Sequence, residues 1–180
     1  MAILEIKAYP EAILAQKAKP VENIDDSIRR LLDDMAETMY AAPGVGLAAP
    51  QVGVSLRAIV VDASPRVEGE KLIKLVNPVI TFAEGTSVCE EGCLSVPGFS
   101  ENVTRSEKVI VEGYNEHGKP VKIETDTFLA TVLQHEIDHL NGVLFIDHIG
   151  RLKRDMIRRK LRKKVRRKDK SNEKSKIVAV

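Results

Sequence analysis

LQHEIDHLNG, residues 133–142, contains two histidines four positions apart, with Glu136 directly after the first. In an α-helix such positions lie on one face, so His135 and His139 can direct both imidazoles at one ion. Glu136 can then take a proton from a metal-bound water instead of binding the metal itself. The segment predicts a metal site on a helix. From this motif alone, a solvated helix face with two satisfied histidines stays an equal alternative.

Apolar residues at helical spacing surround the motif and set the limits of its helix. We predict a start within residues 125–127, which read TDT, and an end at Gly142. The predicted buried side comprises Phe128, Leu129, Val132, Leu133, Ile137 and Leu140. The motif is therefore predicted to lie in the middle of a helix with apolar flanks, which favours a metal site over a solvated helix face.

Upstream of this helix, apolar and β-branched runs alternate with turn signals and predict a mostly antiparallel sheet. The turn signals are Asn77-Pro78, Glu84-Gly85 and residues 115–118. Two further helices are predicted from apolar spacing, one from about residue 26 to residue 42 and one from Arg151 to about Lys168. The runs read as strands are 56–61, 72–76, 79–82, 86–89, 109–111 and 121–123.

The charge of the chain is divided unevenly along its length. Residues 151–170 contain 13 Lys and Arg against two Asp, a net charge of +11, whereas residues 1–150 carry a net charge of −10. No apolar run of signal-peptide length follows a basic start, and no run of 18 apolar residues occurs, so we expect a cytoplasmic protein. The charge pattern predicts an acidic folded body and a basic appendage suited to a polyanion.

Two histidines are too few for a catalytic metal site, so a third ligand is needed. In one class of helix-borne zinc proteases it lies six residues after the second histidine, where this chain has Phe145. Asp147 and His148 lie beyond that ligand position, the nearer by two residues, which is too late in the chain. Upstream, Cys93 follows a predicted strand in EGCLS, residues 91–95, and its thiolate could bind zinc at ~2.3 Å. A buried free thiol is the alternative for Cys93.

Three segments, in order, resemble the peptide deformylase family. They are GVGLAAPQ at residues 44–51, EGCLS at residues 91–95 and QHEIDH at residues 134–139, and the resemblance extends from about residue 3 to residue 165. With the elements above, it implies an α+β fold with twisted antiparallel sheets around a central motif-bearing helix. An N-terminal helix and a basic C-terminal helix complete the expected fold.

The resemblance implies that Cys93, His135 and His139 bind the metal. The native ion of the family is ferrous iron (Fe2+), and zinc (Zn2+), nickel (Ni2+) or cobalt (Co2+) can occupy the same site, since a thiolate and two imidazoles suit all of them. The implied reaction is hydrolysis of the N-formyl group from the initiator formyl-methionine of nascent polypeptides, with release of formate. A metal-bound water attacks, and Glu136 serves as general base and then as proton donor to the leaving amine.

Further roles follow from the resemblance. The side-chain amide of Gln51 and the backbone N–H of Leu94 are expected to stabilise the oxyanion. Val45 and Gly46 are expected to pair with the substrate main chain, although a tight turn before a strand is the alternative. Arg105 matches a family arginine, and Ser100 stands where many members have arginine. The expected methionine pocket comprises Val45, Cys89, Phe128, Thr131 and Val132, of which Phe128 and Val132 also suit an ordinary core.

We expect two functional parts, a catalytic metallohydrolase domain at residues 1–150 and a basic C-terminal helix and tail at residues 151–180. The resemblance implies formyl-methionyl nascent peptides as substrates and the ribosome as partner of the basic helix, with neither DNA nor a membrane as a partner. An anionic membrane surface and a merely solvated helix are the alternatives for this helix. Rival functions for the chain are a metallopeptidase that cleaves internal peptide bonds and an RNA-binding protein with a structural metal site.

Overall fold

The computed structural model describes residues 2–177, and side chains as far as residue 169. Helices α1, α2 and α3 span Asp26–Ala41, Phe128–Leu140 and Arg151–Ile177. Seven strands lie between α1 and α2, and short 3-10 segments occupy Ala12–Ala15, Ala49–Val52 and Phe145–His148. The strands are β1 (Gly46–Ala48), β2 (Ala58–Val61), β3 (Ile73–Glu84), β4 (Ser87–Cys93), β5 (Val96–Arg105), β6 (Lys108–Tyr114) and β7 (Pro120–Thr125).

All strand pairs are antiparallel. Five strands form one sheet in the order β1-β2-β3-β6-β7, and β4 and β5 form a separate two-stranded sheet. The expected turn at residues 115–118 joins β6 to β7, with Gly118 at φ 73°. The predicted α+β fold with antiparallel sheets is confirmed.

The larger sheet is covered on both faces, and β2 shows how. Side chains alternate between the faces of a strand. Ile59 and Val61 pack with Leu133 of α2, whereas Ala58 and Val60 pack with residues of α1. The motif helix therefore lies on one face of the sheet and the N-terminal helix on the other.

Both helices begin at a side-chain cap. Asp25 accepts hydrogen bonds from the backbone N–H groups of Ser27 and Ile28 at the start of α1. Thr127 accepts one from Leu129 N at the start of α2. These caps satisfy donors that have no partner within the helix. Gly142 follows α2 at φ 74°, which explains the predicted end of the helix.

The prediction of a turn at Asn77-Pro78 is wrong. Strand β3 continues through both residues with a register shift between Val76 and Val79. Asn77 adopts φ 52°, and its side chain binds both the N–H and the C=O of Val21 at 2.8 and 2.9 Å. The residue pair that reads as a turn is therefore a bulge that a distant contact holds in place.

Helix α3 is longer than the sequence predicts, since it continues to Ile177. Ile157 and Leu161 are buried in a cluster with Phe145 and Ile146, whereas Leu152 is 88% exposed. The start of α3 is thus docked on the rest of the molecule. No described helix has the length and apolar character needed to cross a lipid bilayer.

Candidate metal centre

Three elements meet at the site. Strand β4 ends at Cys93, α2 carries His135 in its second half and His139 in its last turn, and the 3-10 segment after β1 carries Gln51. The sheet positions α2, because Leu129, Leu133 and other apolar residues of this helix are buried against β2 and β3. The opposite side of α2 is thereby directed at the end of β4.

The three predicted ligands lie together. Sγ of Cys93 is 3.3 Å from Nε2 of His139, and ligand atoms of Cys93, His135 and His139 all lie within 4.8 Å of one another. In a tetrahedral site with bonds of ~2.0–2.3 Å, two ligand atoms are about 3.3–3.6 Å apart. A thiolate and two imidazoles at this spacing fit a divalent transition-metal ion. Neither Cys93 nor Cys89 is in a disulfide.

Glu91 orients the first histidine. Its Oε2 lies 2.8 Å from Nδ1 of His135, which leaves the other ring nitrogen available for a metal. Arg105 holds Glu91 through two hydrogen bonds and also donates to Asp138 at 2.8 Å. The hydrogen bonds to His135 and Arg105 lower the pKa of Glu91 even though burial opposes them. Glu91 was not predicted as this partner, although it lies two residues before Cys93 on the same strand face.

The second histidine is the most enclosed of the three predicted ligands. His139 is 1% exposed, and burial lowers its pKa well below the usual value. The neighbouring charges of His135 and Arg105 act in the same direction. A neutral imidazole is the form that binds a metal, so this environment favours ligation.

Glu136 lies beside the ligands with its carboxylate buried. Within the described part of the chain, its Oε2 has no hydrogen-bond partner. Burial raises the pKa of Glu136 to about 7, against the lowering effect of His135 and Arg105. Gly46 packs directly on this carboxylate. An unpaired carboxylate with a pKa near neutrality suits proton transfer at this position.

Gln51 is fixed by bonds at both ends of its amide. Oε1 accepts a hydrogen bond from Ala48 N at 2.8 Å, and Nε2 donates to Ser95 Oγ at 3.1 Å. The same Nε2 lies 3.6 Å from Sγ of Cys93, so the amide faces the site. Ser95, whose own Oγ donates to the carbonyl of Lys7, was not singled out from the sequence.

A cavity of about 620 Å³ opens beside Cys93, His135 and Glu136. Several residues predicted to contact substrate line it, along with Gln51 and Leu94. Cys89 is not among the described lining residues, although it lies on the same face of β4 as Glu91. The predicted contact residues on its wall are Val45, Gly46, Phe128, Thr131 and Val132.

Comparison with known proteins identifies relatives over most of the chain. Residues 3–155 match the family model described as polypeptide deformylase. Peptide deformylase of Thermodesulfovibrio yellowstonii is 54% identical over 160 residues, which are 89% of this chain and 97% of the relative. Peptide deformylase of Halothermothrix orenii is 54% identical over 157 residues, 87% of this chain and 100% of the relative.

Solved structures agree with these relatives. A peptide deformylase from Legionella pneumophila superposes with a TM-score of 0.85 at 49% identity, covering 93% of this chain and 98% of the other. A peptide deformylase from Ehrlichia chaffeensis in complex with actinonin gives a TM-score of 0.87 at 39% identity, with 91% and 98% coverage. The chain therefore belongs to the peptide deformylase family of metal-dependent hydrolases, which remove the N-formyl group from nascent peptides.

Proposed function

We propose that Cys93, His135 and His139 hold a ferrous ion and that Glu136 is the general base of deformylation. The observation that carries this proposal is the 3.3 Å approach of Cys93 Sγ to His139 Nε2 beside the buried carboxylate of Glu136. Zinc, nickel and cobalt suit the same donor set. When bound, the ion would supply Lewis-acid activation of water and polarisation of the formyl oxygen.

Glu136 moves the proton. Its carboxylate accepts a proton from the attacking water and then donates it to the amine that leaves as the formyl C–N bond breaks. Burial supports this role, because it raises the pKa of the Glu136 carboxyl and so makes the protonated form accessible. The unpaired Oε2 supports it further, since no bond within the described residues must be broken first.

Gln51 and Leu94 supply hydrogen-bond donors to the developing oxyanion. One N–H of the Gln51 amide donates to Ser95 Oγ and the other points at Cys93 Sγ, 3.6 Å away, a weak sulfur contact that an oxyanion could replace. Leu94 follows Cys93 directly and lines the cavity, which favours its backbone N–H as the second donor. Loss of one such donor typically lowers the rate by ~10²- to 10³-fold.

The substrate main chain pairs with β1. Within residues 2–177, β1 pairs with β2 alone, so its other edge is available to an extended peptide. Val45 and Gly46 are the proposed pairing residues on this edge. Phe128, Thr131 and Val132 would then enclose the methionine side chain together with Val45. Cys89, which shares a face of β4 with Glu91, stays a prediction.

The test measures formate release from a formyl-methionyl dipeptide by protein loaded anaerobically with iron. We expect Glu136→Gln to retain the metal and lose turnover, and Cys93→Ala to lose both. Glu22→Gln, an exposed substitution outside the site, is the matched control and should behave as the parent. Equal turnover in Glu136→Gln and the parent would rule out the assigned base.

The rival metallopeptidase would cleave casein but not the formylated dipeptide. Its third ligand would stand at position 145, where Phe145 is 1% exposed in the core. An aromatic ring there cannot bind a metal. The position of this residue therefore supports deformylation over cleavage of internal peptide bonds.

We propose that residues 1–150 form the catalytic part and that residues 151–180 bind ribosomal RNA in the cytoplasm. Residues 178–180 of this segment lie outside those that the structure describes. Ile157 and Leu161 anchor α3 in the core, which leaves its basic side chains directed outward. A polyanionic backbone suits such a helix, and binding through it should weaken as salt rises. The cationic groove on α3 comprises Arg158, Arg159, Arg162, Lys163 and Arg166, together with Asp155.

Truncation after Gly150 would remove Ile157 and Leu161 from the core, so charge substitution is the cleaner test. In one variant, three exposed lysines of α3, at positions 160, 163 and 164, are replaced by glutamine. In the control variant, three exposed lysines of residues 1–150, at positions 17, 71 and 122, are replaced in the same way. Only the α3 variant should lose co-sedimentation with ribosomes and show a shallower salt dependence. Equal co-sedimentation of both variants would remove the proposal.

A further inference from the structure

Arg66 lies on the wall of the cavity, in the segment that follows β2. Its Cζ is 4.3 Å from the centroid of the Phe128 ring, the geometry of a cation–π contact. Phe128 in turn begins α2 and lines the same cavity. The contact therefore holds a positive charge beside the proposed methionine pocket.

The N–H groups of the Arg66 guanidinium have no acceptor within the described residues. The side chain is exposed, and in the part of the chain that the structure describes Arg66 donates through its backbone N–H alone, to Ala63 O at 2.9 Å. No carboxylate of the described residues lies within ion-pair distance of it. Of the described residues that line the cavity, Arg66 is the one lysine or arginine. A stacked guanidinium with unused N–H groups is pre-organised to bind a carboxylate.

The path of the substrate follows from two contacts. Gly46 packs on Glu136, which fixes the end of β1 where the formyl group reacts. Asp62 N donates to Val45 O at 2.9 Å, which ties the start of the Arg66 segment to the same strand. A peptide on the free edge of β1 therefore runs from Glu136 past Val45, and Arg66 and Phe128 both line the cavity that receives it.

Side chains of an extended peptide alternate between its two faces. If the first side chain, methionine, points at Phe128, the third points the same way and comes next along the strand. Arg66 covers the same ring at the exposed rim of the cavity. The third side chain of the substrate is therefore the one that reaches the guanidinium.

We propose that Arg66 determines specificity by favouring substrates with an acidic third residue. This inference rests on the proposed function and identifies the substrates that the same site prefers. The β4 side of the cavity carries the opposite charge, because Glu90 lies there and accepts a hydrogen bond from Ser100 Oγ at 2.7 Å. Position 100, where many family members have arginine, carries serine here. The positive charge at the rim of the cavity therefore comes from Arg66, in the segment after β2.

The experiment compares kcat/KM for formyl-Met-Ala-Xaa-amide peptides in which Xaa is Glu, Gln or Lys. In the parent we expect Glu to exceed Lys by about two- to fivefold at low salt, the range of an exposed ion pair. Arg66→Gln should bring this ratio to about one, and Arg66→Glu should reverse it. Arg30→Gln removes an exposed positive charge from α1, outside the cavity, and should keep the parental ratio.

Because the ratio is taken within each variant, a folding defect common to all peptides cancels. An unchanged ratio in Arg66→Gln, or an equal loss on all three peptides, would overturn the inference while leaving deformylation intact. Absence of turnover by the parent on every peptide would overturn the proposed function as well. Rising salt should reduce the parental preference, since an exposed pair is screened.

Discussion

Gly46 lies so close to Glu136 that a Cβ atom added at position 46 would stand 2.3 Å from Oε1 of the glutamate. Real Cβ atoms do not approach so closely, so either the strand or the carboxylate would have to move. The backbone of Gly46 does not have a positive φ, so steric contact and not backbone strain determines the need for glycine. This contact links the proposed substrate-binding edge to the proposed base.

Gly46→Ala should therefore displace the Glu136 carboxylate while leaving the ligands in place. A displacement of about 1 Å at a catalytic group can cost ~10²-fold in rate. We expect kcat on a formyl-methionyl peptide to fall by about that factor, with unchanged metal content by elemental analysis. Gly150→Ala is the matched control, since a Cβ there meets no atom within 4 Å. Full activity in Gly46→Ala would contradict the steric argument.

Arg105 neutralises the carboxylates of Glu91 and Asp138, and its side chain is 4% exposed. Arg105→Met should leave Glu91 buried without its partner, which typically destabilises a protein by ~3–5 kcal/mol. Urea unfolding measures this loss. Because Glu91 also orients His135, metal affinity should fall by ~10- to 100-fold.

The double variant Arg105→Met/Glu91→Gln distinguishes charge from packing. Removal of the negative charge should recover part of the stability that Arg105→Met loses, since no uncompensated carboxylate then remains at position 91. If the free energy of unfolding of the double variant fell by the sum of the losses in the two single variants, the broken ion pair would not explain the destabilisation by Arg105→Met.

His135 and His139 were predicted to lie together from local spacing, because helical periodicity places both imidazoles on one face. Cys93 was implied as the third ligand by the resemblance to the deformylase family, since it lies 46 positions before His139 and no periodic pattern connects the two. The hydrogen bond from Gln51 to Ser95 likewise joins residues 44 positions apart. Ser95 stands within the EGCLS segment, but no local pattern predicts that its hydroxyl fixes Gln51.

Asn77 illustrates the same limit for the fold. Asn-Pro is a common turn signal, yet the side chain of Asn77 binds Val21, 56 positions away, and β3 continues. Tertiary hydrogen bonds here override the local preference. The helices were predicted more accurately because caps and apolar spacing are contained in the segments themselves.

Gly142 and Gly118 allow backbone strain to be separated from steric overlap. Their φ values are 74° and 73°, but a Cβ at Gly142 would lie 2.7 Å from backbone atoms of Ala15, whereas one at Gly118 meets no atom within 4 Å. Gly118→Ala should cost ~1 kcal/mol for the left-handed conformation alone. Gly142→Ala should cost clearly more, because rigid backbone is in the way. Equal losses in urea unfolding would show that the Ala15 contact adjusts freely.

Tyr40 provides a test at alkaline pH. Partial desolvation of its hydroxyl and the hydrogen bond that it donates to Asp62 at 2.5 Å raise the pKa of Tyr40 to about 12, although about half of the residue is exposed. Since the pKa of an ordinary tyrosine is 10.0, the unfolded chain loses this proton first as the pH rises. The contribution of Tyr40 to stability is therefore complete below about pH 10 and is lost as the pH approaches 12.

Absorbance titration of the tyrosinates measures this directly. The chain has three tyrosines, and we expect the last of the three transitions to be absent in Tyr40→Phe. Asp62→Asn should shift that transition to lower pH, because the negative charge that opposes ionisation is gone while a hydrogen-bond acceptor remains. Asp62 N also binds Val45 O, a backbone contact that this substitution leaves in place. An unshifted transition in Asp62→Asn would mean that burial alone raises the pKa of Tyr40.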